Sequence, residues 1–145
     1  MAQQQTYANH VRYHAPFHYF LSPLMLLLLV WSVVQVVRHP GWEAAMGLVL
    51  TLVLLVTVFL TRVYAMKVQD RVIRLEEHLR FARLLPAEVA RQATEKIPLR
   101  FIIALRFASD EELPGLVGKV LDGSFAQPAE VKKAIQTWRG DYWRV

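Results

Sequence analysis

Hydrophobic positions fall along this chain in three successive rhythms. From Phe17 to Val37 (FHYFLSPLMLLLLVWSVVQVV) and from Ala44 to Thr61 (AAMGLVLTLVLLVTVFLT) they are almost continuous. A bilayer core of about 30 Å needs about 20 apolar residues in a helix. Both stretches therefore predict membrane spans, the second extending naturally through Tyr64 and Met66. Between them, Arg38-His39-Pro40-Gly41-Trp42-Glu43 carries Pro and Gly as breakers and predicts a tight turn. The two spans should thus form an antiparallel hairpin. Pro23, directly after Ser22, predicts that the first helix either begins or bends there.

After Met66 the rhythm narrows to a stripe. Val68, Val72, Leu75, Leu79 and Ala82 are spaced four, three, four, three, a coiled-coil-like pattern on one side of a helix. Asp70 with Arg74 and Glu76 with Arg80 stand in the favourable acid-to-base order at i, i+4. The second span is accordingly expected to run unbroken to about Leu85, where Pro86 stops it. The third rhythm is a series of short segments with clear punctuation. Pro86 to Lys96 opens on Pro and closes at Pro98. Leu99 to Phe107 (LRFIIALRF) reads equally as strand or buried helix. Ser109 with Glu112 forms a capping box, and Gly123 stops the segment that follows. Gln127-Pro128 opens a last helix in which Val131, Ile135 and Trp138 share a face.

The expected fold is an all-α membrane protein. A two-helix transmembrane hairpin continues through its second span into a long cytoplasmic amphipathic helix, followed by short C-terminal helices. The boundaries are residues 1–16 for an N-terminal interfacial segment, 17–66 for the hairpin with spans at about 17–37 and 44–64, 67–85 for the helix extension, and 86–145 for a small helical region. About 60 residues beyond Leu85 are few for an independent core. They should pack on the long helix, on the membrane surface or on a partner.

Charge sharpens this picture more than composition does. Over 145 residues the mean hydropathy is +0.26 and the net charge +5, but 15 of the 17 Lys and Arg and 11 of the 12 Asp and Glu lie from Arg62 onward. Arg62, Lys67, Arg71, Arg74, Arg80 and Arg83 follow the second span, against Arg38 and Glu43 in the turn. By the positive-inside rule both termini are expected to be cytoplasmic. Acids interleave with these bases, which favours a solvated helix face over a nucleic-acid surface. A cleavable signal peptide would need a basic start and a small-x-small site; Met1 to Ala15 is polar with one Arg, so the first span is expected to remain. With no cysteine, disulfides, thiolate metal sites and cysteine nucleophiles are excluded.

The search for chemistry centres on histidine. His10, His14 and His18 repeat every four residues and would line one face of a continuous helix. Imidazole ligates metals and the central metal of a tetrapyrrole, so this row is a candidate contact for a chlorophyll-type pigment, a metal or lipid headgroups. Against ligation stand Pro16, which disfavours a helical Ala15, and the flanking Tyr7, Asn9, Arg12, Tyr13 and Tyr19, which suit interfacial hydrogen bonding. His39 reads as a turn residue and His78 as a solvated one. No dedicated metal site is expected. No phosphate loop, G-x-S-x-G elbow, H-E-x-x-H or D-x-D-x-D-G pattern occurs, and the Asp110-Glu111-Glu112 cluster is explained by helix capping.

Tyr7-Ala8-Asn9-His10-Val11-Arg12-Tyr13-His14 with His18, Ile103 to Pro114 (IALRFASDEELP), and Lys132 to Trp138 (KKAIQTW) together resemble a family of small two-span bacterial membrane proteins of unknown function. The resemblance implies a topology and transfers no catalytic residue. The function these readings suggest is a non-catalytic accessory subunit of a larger integral membrane, energy-transducing complex, with a photosynthetic reaction centre as the specific expectation. Partners would be that complex and membrane lipids. The second reading is a membrane-tethered regulator or scaffold that self-associates through Val68, Val72, Leu75, Leu79 and Ala82, the partner-facing stripe, and recruits a soluble protein. An enzyme acting on lipid headgroups lacks acid-base partners for the histidines.

Overall fold

A computed structural model describes residues 5–7, 9 and 14–142. The chain is all-helical. Six α-helices are seen among the described residues: α1 (Ser22–Arg38), α2 (Trp42–Leu84), α3 (Ala87–Lys96), α4 (Leu99–Leu105), α5 (Leu113–Leu121) and α6 (Pro128–Ala134). A π-helical turn, Pro16–Leu21, leads into α1. They are distributed over two compact units, Arg12–Met66 and Lys67–Arg144, the latter joined by Met1–Val11.

In the first unit the breakers act where local sterics place them. Arg38 ends α1, His39 leaves helical geometry at φ −132° and ψ 67°, and α2 opens at Trp42. α1 begins at Ser22, one of the two expectations at Pro23, yet Ser22 is not the start of helical geometry. Helical geometry begins upstream, with Ala15 itself at φ −53° and ψ −47° despite Pro16 behind it. The wider turn explains this. The Ser22 amide reaches the Phe17 carbonyl, a partner five residues back, and the Ser22 hydroxyl donates to the same oxygen at 2.8 Å. The proline ring is thus approached by a loosened turn in place of a strict α-turn.

α1 with its leading turn and α2 are both long and apolar enough to cross a membrane, and only 11% and 6% of their most apolar windows are buried. A core helix of a soluble domain would be mostly covered. Met25, Ser32 and Thr51 are the buried side chains within the spans. The hydroxyls of Ser32, Thr51 and Thr57 donate to carbonyls of their own helices, Leu29, Gly47 and Val53. That leaves no hydroxyl of the three unsatisfied in apolar surroundings.

α2 continues for 43 residues, about twice what a bilayer core needs, because no proline and no glycine after Gly47 interrupts it before Pro86. Its final turns carry the second unit, a helical head. Phe81 and Leu85 pack with Ala93 of α3, Phe101, Ile102 and Leu105 of α4, Leu113 and Val117 of α5, and Val131 of α6 in one apolar cluster. The tail therefore builds its core on the end of the long helix. Leu99–Leu105, open between strand and helix in the sequence, is helix, with Pro98 at its N-cap.

Two caps follow the sequence closely. Gly123 adopts φ +80°, and the Ser124 and Gly123 amides donate to the Lys119 and Val120 carbonyls, the paired bonds of a Schellman stop after α5. Gln127 and Glu130 form a capping box at α6. The last helix is shorter than its apolar pattern suggests. α6 ends at Ala134, Ile135 is extended, and the chain returns across the head, with Trp138 bridged antiparallel to Ala108 and the Arg139 amide donating to the Phe107 carbonyl. Gln5 closes this segment from the N-terminal side, exchanging hydrogen bonds with the Asp141 backbone at 2.9 and 3.3 Å.

Candidate functional site

The extension of α2 beyond Met66 has two faces, and they differ in what covers them. Val68, Val72, Leu75 and Leu79 are 60%, 48%, 63% and 65% exposed, and Ala82 is exposed as well. Ile73, Glu77, Arg80, Phe81 and Leu85 are buried. In heptad terms Val72 and Leu79 occupy a, and Val68, Leu75 and Ala82 occupy d. The buried residues Ile73, Glu77, Arg80 and Phe81 then fall at b, f, b and c, on the far side of the helix. The head is mounted on the back of α2, and the stripe remains open.

Glu77 and Arg80, buried among those apolar side chains, anchor a charged cluster that the sequence did not announce and whose other members are partly exposed. Arg80 donates through Nε to Asp110 at 2.7 Å, through one terminal nitrogen to the Ala108 carbonyl at 2.7 Å, and through the other to Glu77 at 3.3 Å. Arg83 holds the second oxygen of Asp110 at 2.9 Å, and Arg139 reaches Glu77 at 3.5 Å. Arg80 thus turns to Glu77 and Asp110, where its spacing suggested a surface pair with Glu76. Desolvation pushes the Glu77 carboxyl above the ordinary carboxylate range, against the pull of Arg80 and Arg139. The hydrogen bond from Arg80 holds Asp110 below it. The missed signal is the second stripe on α2: Ile73, Phe81 and Leu85 frame Glu77 and Arg80, so these two charges had to enter the core together.

The acidic run at 110–112 is divided between tasks. Ser109 accepts a bond from the Glu112 amide at 3.3 Å, half of the expected capping box. The Glu112 carboxylate instead accepts the Gln136 and Thr137 amides at 3.2 and 3.1 Å. Those are amides that a longer α6 would have bonded internally, which is the physical reason the helix ends at Ala134. Beside the cluster lies an open cleft of about 410 Å³, lined by Glu76, Glu77, Leu79, Arg106, Arg139 and Asp141 among others. Four of its charged groups are paired, Arg106 standing 3.3 Å from Asp141 and Glu77 pairing with Arg139 as above, and Glu76 is exposed.

The histidine row is resolved in part. His10 lies outside the described residues. His14 and His18 share one continuous turn, since the His18 amide and its Nδ1 both approach the His14 carbonyl at 3.0 Å. That contact makes Nδ1 the protonated nitrogen of His18. The His18 ring stands edge-on to Phe17 at 5.2 Å, and Phe17 lies beneath the Arg62 guanidinium at 5.4 Å. A shallow groove of about 380 Å³ runs past His14, Phe17, Thr61 and Arg62. Among the described residues, no three His, Asp or Glu side chains are grouped to hold a metal ion. His78 differs from its solvated reading. It is half-buried with Nε2 covered and unpaired in the structure, and burial, with Arg74 nearby, lowers its pKa.

A family model described as a family of unknown function, DUF6526, matches residues 1–145 of the chain. No curated protein and no solved structure matches it.

Proposed function

The chain belongs to DUF6526, a family of unknown function, and from that premise we propose a non-catalytic docking protein anchored in the bacterial inner membrane. The hairpin of α1 and α2 lies in the bilayer, and the extension of α2 with its head lies in the cytoplasm. Two nearly uncovered apolar helices support the anchorage, and the crowd of Lys and Arg after the second span supports the orientation. The observation that carries the docking role is the open stripe: the head covers the opposite face of the same helix and leaves five apolar positions exposed. The charged groups near the head's cleft hold one another and the backbone, which favours scaffolding over acid-base chemistry. The Leu75→Ser/Leu79→Ser variant is expected to lose a higher-mass species in mild detergent while hydrogen exchange in the head stays unchanged. Monomer mass for both parent and variant would refute the docking role.

The narrower reading is an accessory subunit of an energy-transducing complex, with a reaction centre as its specific form. It is supported by the uncovered flanks of the hairpin, which could seat against a larger membrane protein. A pigment held by His10, His14 and His18 would co-purify as visible absorbance and disappear on their replacement.

A further inference from the structure

We infer that the occupant of the stripe is a second copy of this chain, joined through a parallel, in-register two-stranded coiled coil over residues 68–82. The inference rests on the docking reading above and adds the partner's identity and register. Three observations converge on it. The first is the pattern. Val72 and Leu79 at a, with Val68, Leu75 and Ala82 at d, form an uninterrupted apolar seam; Val72 and Leu75 match the β-branched a and leucine d preference of two-stranded coils, and Leu79, Val68 and Ala82 depart from it.

The second is charge complementarity of the seam with itself. In a parallel dimer a g side chain meets the e side chain five residues on in the partner. Arg71 is at g and Glu76 at e, both exposed, so two opposite-charge pairs form symmetrically across the seam. The next g and e pair joins His78 to Arg83, which Asp110 already holds at 2.9 Å. Burial and Arg74 keep that imidazole toward its neutral form, so the pair adds little repulsion. The third is symmetry. Two copies inserted alike in one membrane present α2 in the same direction, and a two-fold axis along the membrane normal brings identical residues face to face. The head is built mainly on b, c and f, with Leu85 at g and Arg83 at e also engaged with it, while the a and d residues of the seam stay exposed.

Two heptads are short for a free coiled coil. Confinement to a membrane supplies the missing drive, because tethered seams meet at a high effective concentration. The full chain in its membrane is therefore the material to test, and the absence of native cysteine permits single-cysteine scanning. Val72→Cys, Leu75→Cys and Leu79→Cys should each give a disulfide-linked homodimer under mild oxidant, and Arg74→Cys, at c, should give several-fold less. Arg71→Glu and Glu76→Arg should each reduce the Leu75→Cys dimer several-fold, and the two together should restore it.

Equal crosslinking at position 74, or no rescue by the double exchange, overturns the parallel register. If Leu75→Ser/Leu79→Ser changes the native mass while no single-cysteine variant links to itself, the stripe binds a different protein. In that case the homodimer is wrong and the docking role stands. If neither measurement responds, both fail.

Discussion

Arg80 makes the most consequential contacts of any single side chain described. Its guanidinium is 4% exposed and serves Glu77, Asp110 and the Ala108 carbonyl at once. Removing one partner of a buried pair leaves an uncompensated charge, so Arg80→Met should destabilise the head by about 3–5 kcal/mol. Replacing both, as Glu77→Leu/Arg80→Met, should recover most of that loss, since an apolar pair of similar volume avoids the desolvation cost. Hydrogen exchange of head amides in the detergent-solubilised chain measures both. Glu77 also sets a pH slope. Its folded pKa lies above the ordinary 4.5, so the folded head holds the proton more tightly than the unfolded chain does. Its contribution therefore favours the folded state increasingly as pH falls through the window between the folded value and 4.5, and Glu77→Gln should abolish that slope. Asp110 acts in the opposite sense: held below the ordinary 3.8, it contributes stability above that value and loses it as pH falls further.

Among the elements, α6 and the segment after it show how a long-range acceptor overrides a local pattern. Glu112→Ala withdraws the acceptor from the Gln136 and Thr137 amides and should raise their exchange rates at least tenfold, at a cost of about 1.5–3 kcal/mol in the segment's closure. The capping stop at Gly123, the helix start at Gln127-Pro128 and the turn at Pro40-Gly41 were legible in the sequence because each depends on neighbours within a few residues. The length of α6 was not, because Glu112 lies 24 residues from the amide it captures. Leu99–Phe107 stayed open between helix and strand because a short, nearly continuous apolar run has no period to read. The stripe on α2 was legible as a period, yet it concealed the second apolar face of Ile73, Phe81 and Leu85, on which the head is built. The charged cluster was hidden for the same reason: Asp110 approaches Arg80 from 30 residues away, and nothing in the spacing reports it.

At the scale of the whole molecule, the arrangement proposed for the membrane makes a direct topological prediction. In a chain without native cysteine, Gly41→Cys should react with an impermeant maleimide added to intact spheroplasts. Lys119→Cys should react only after permeabilisation; the reverse pattern would place the head outside. The way the head is closed bears on how the protein is made. Phe81 and Leu85, at the end of α2, leave the ribosome well before their cover is finished by Val131, Ile135 and Trp138. The Arg139 amide and the Gln5 contact to Asp141 come later still. Throughout that interval the apolar surface of Phe81 and Leu85 stays open to chaperones and proteases. Translation that halts before the α6 codons should therefore yield an inserted hairpin with an unsealed head, a ready substrate for membrane-associated degradation.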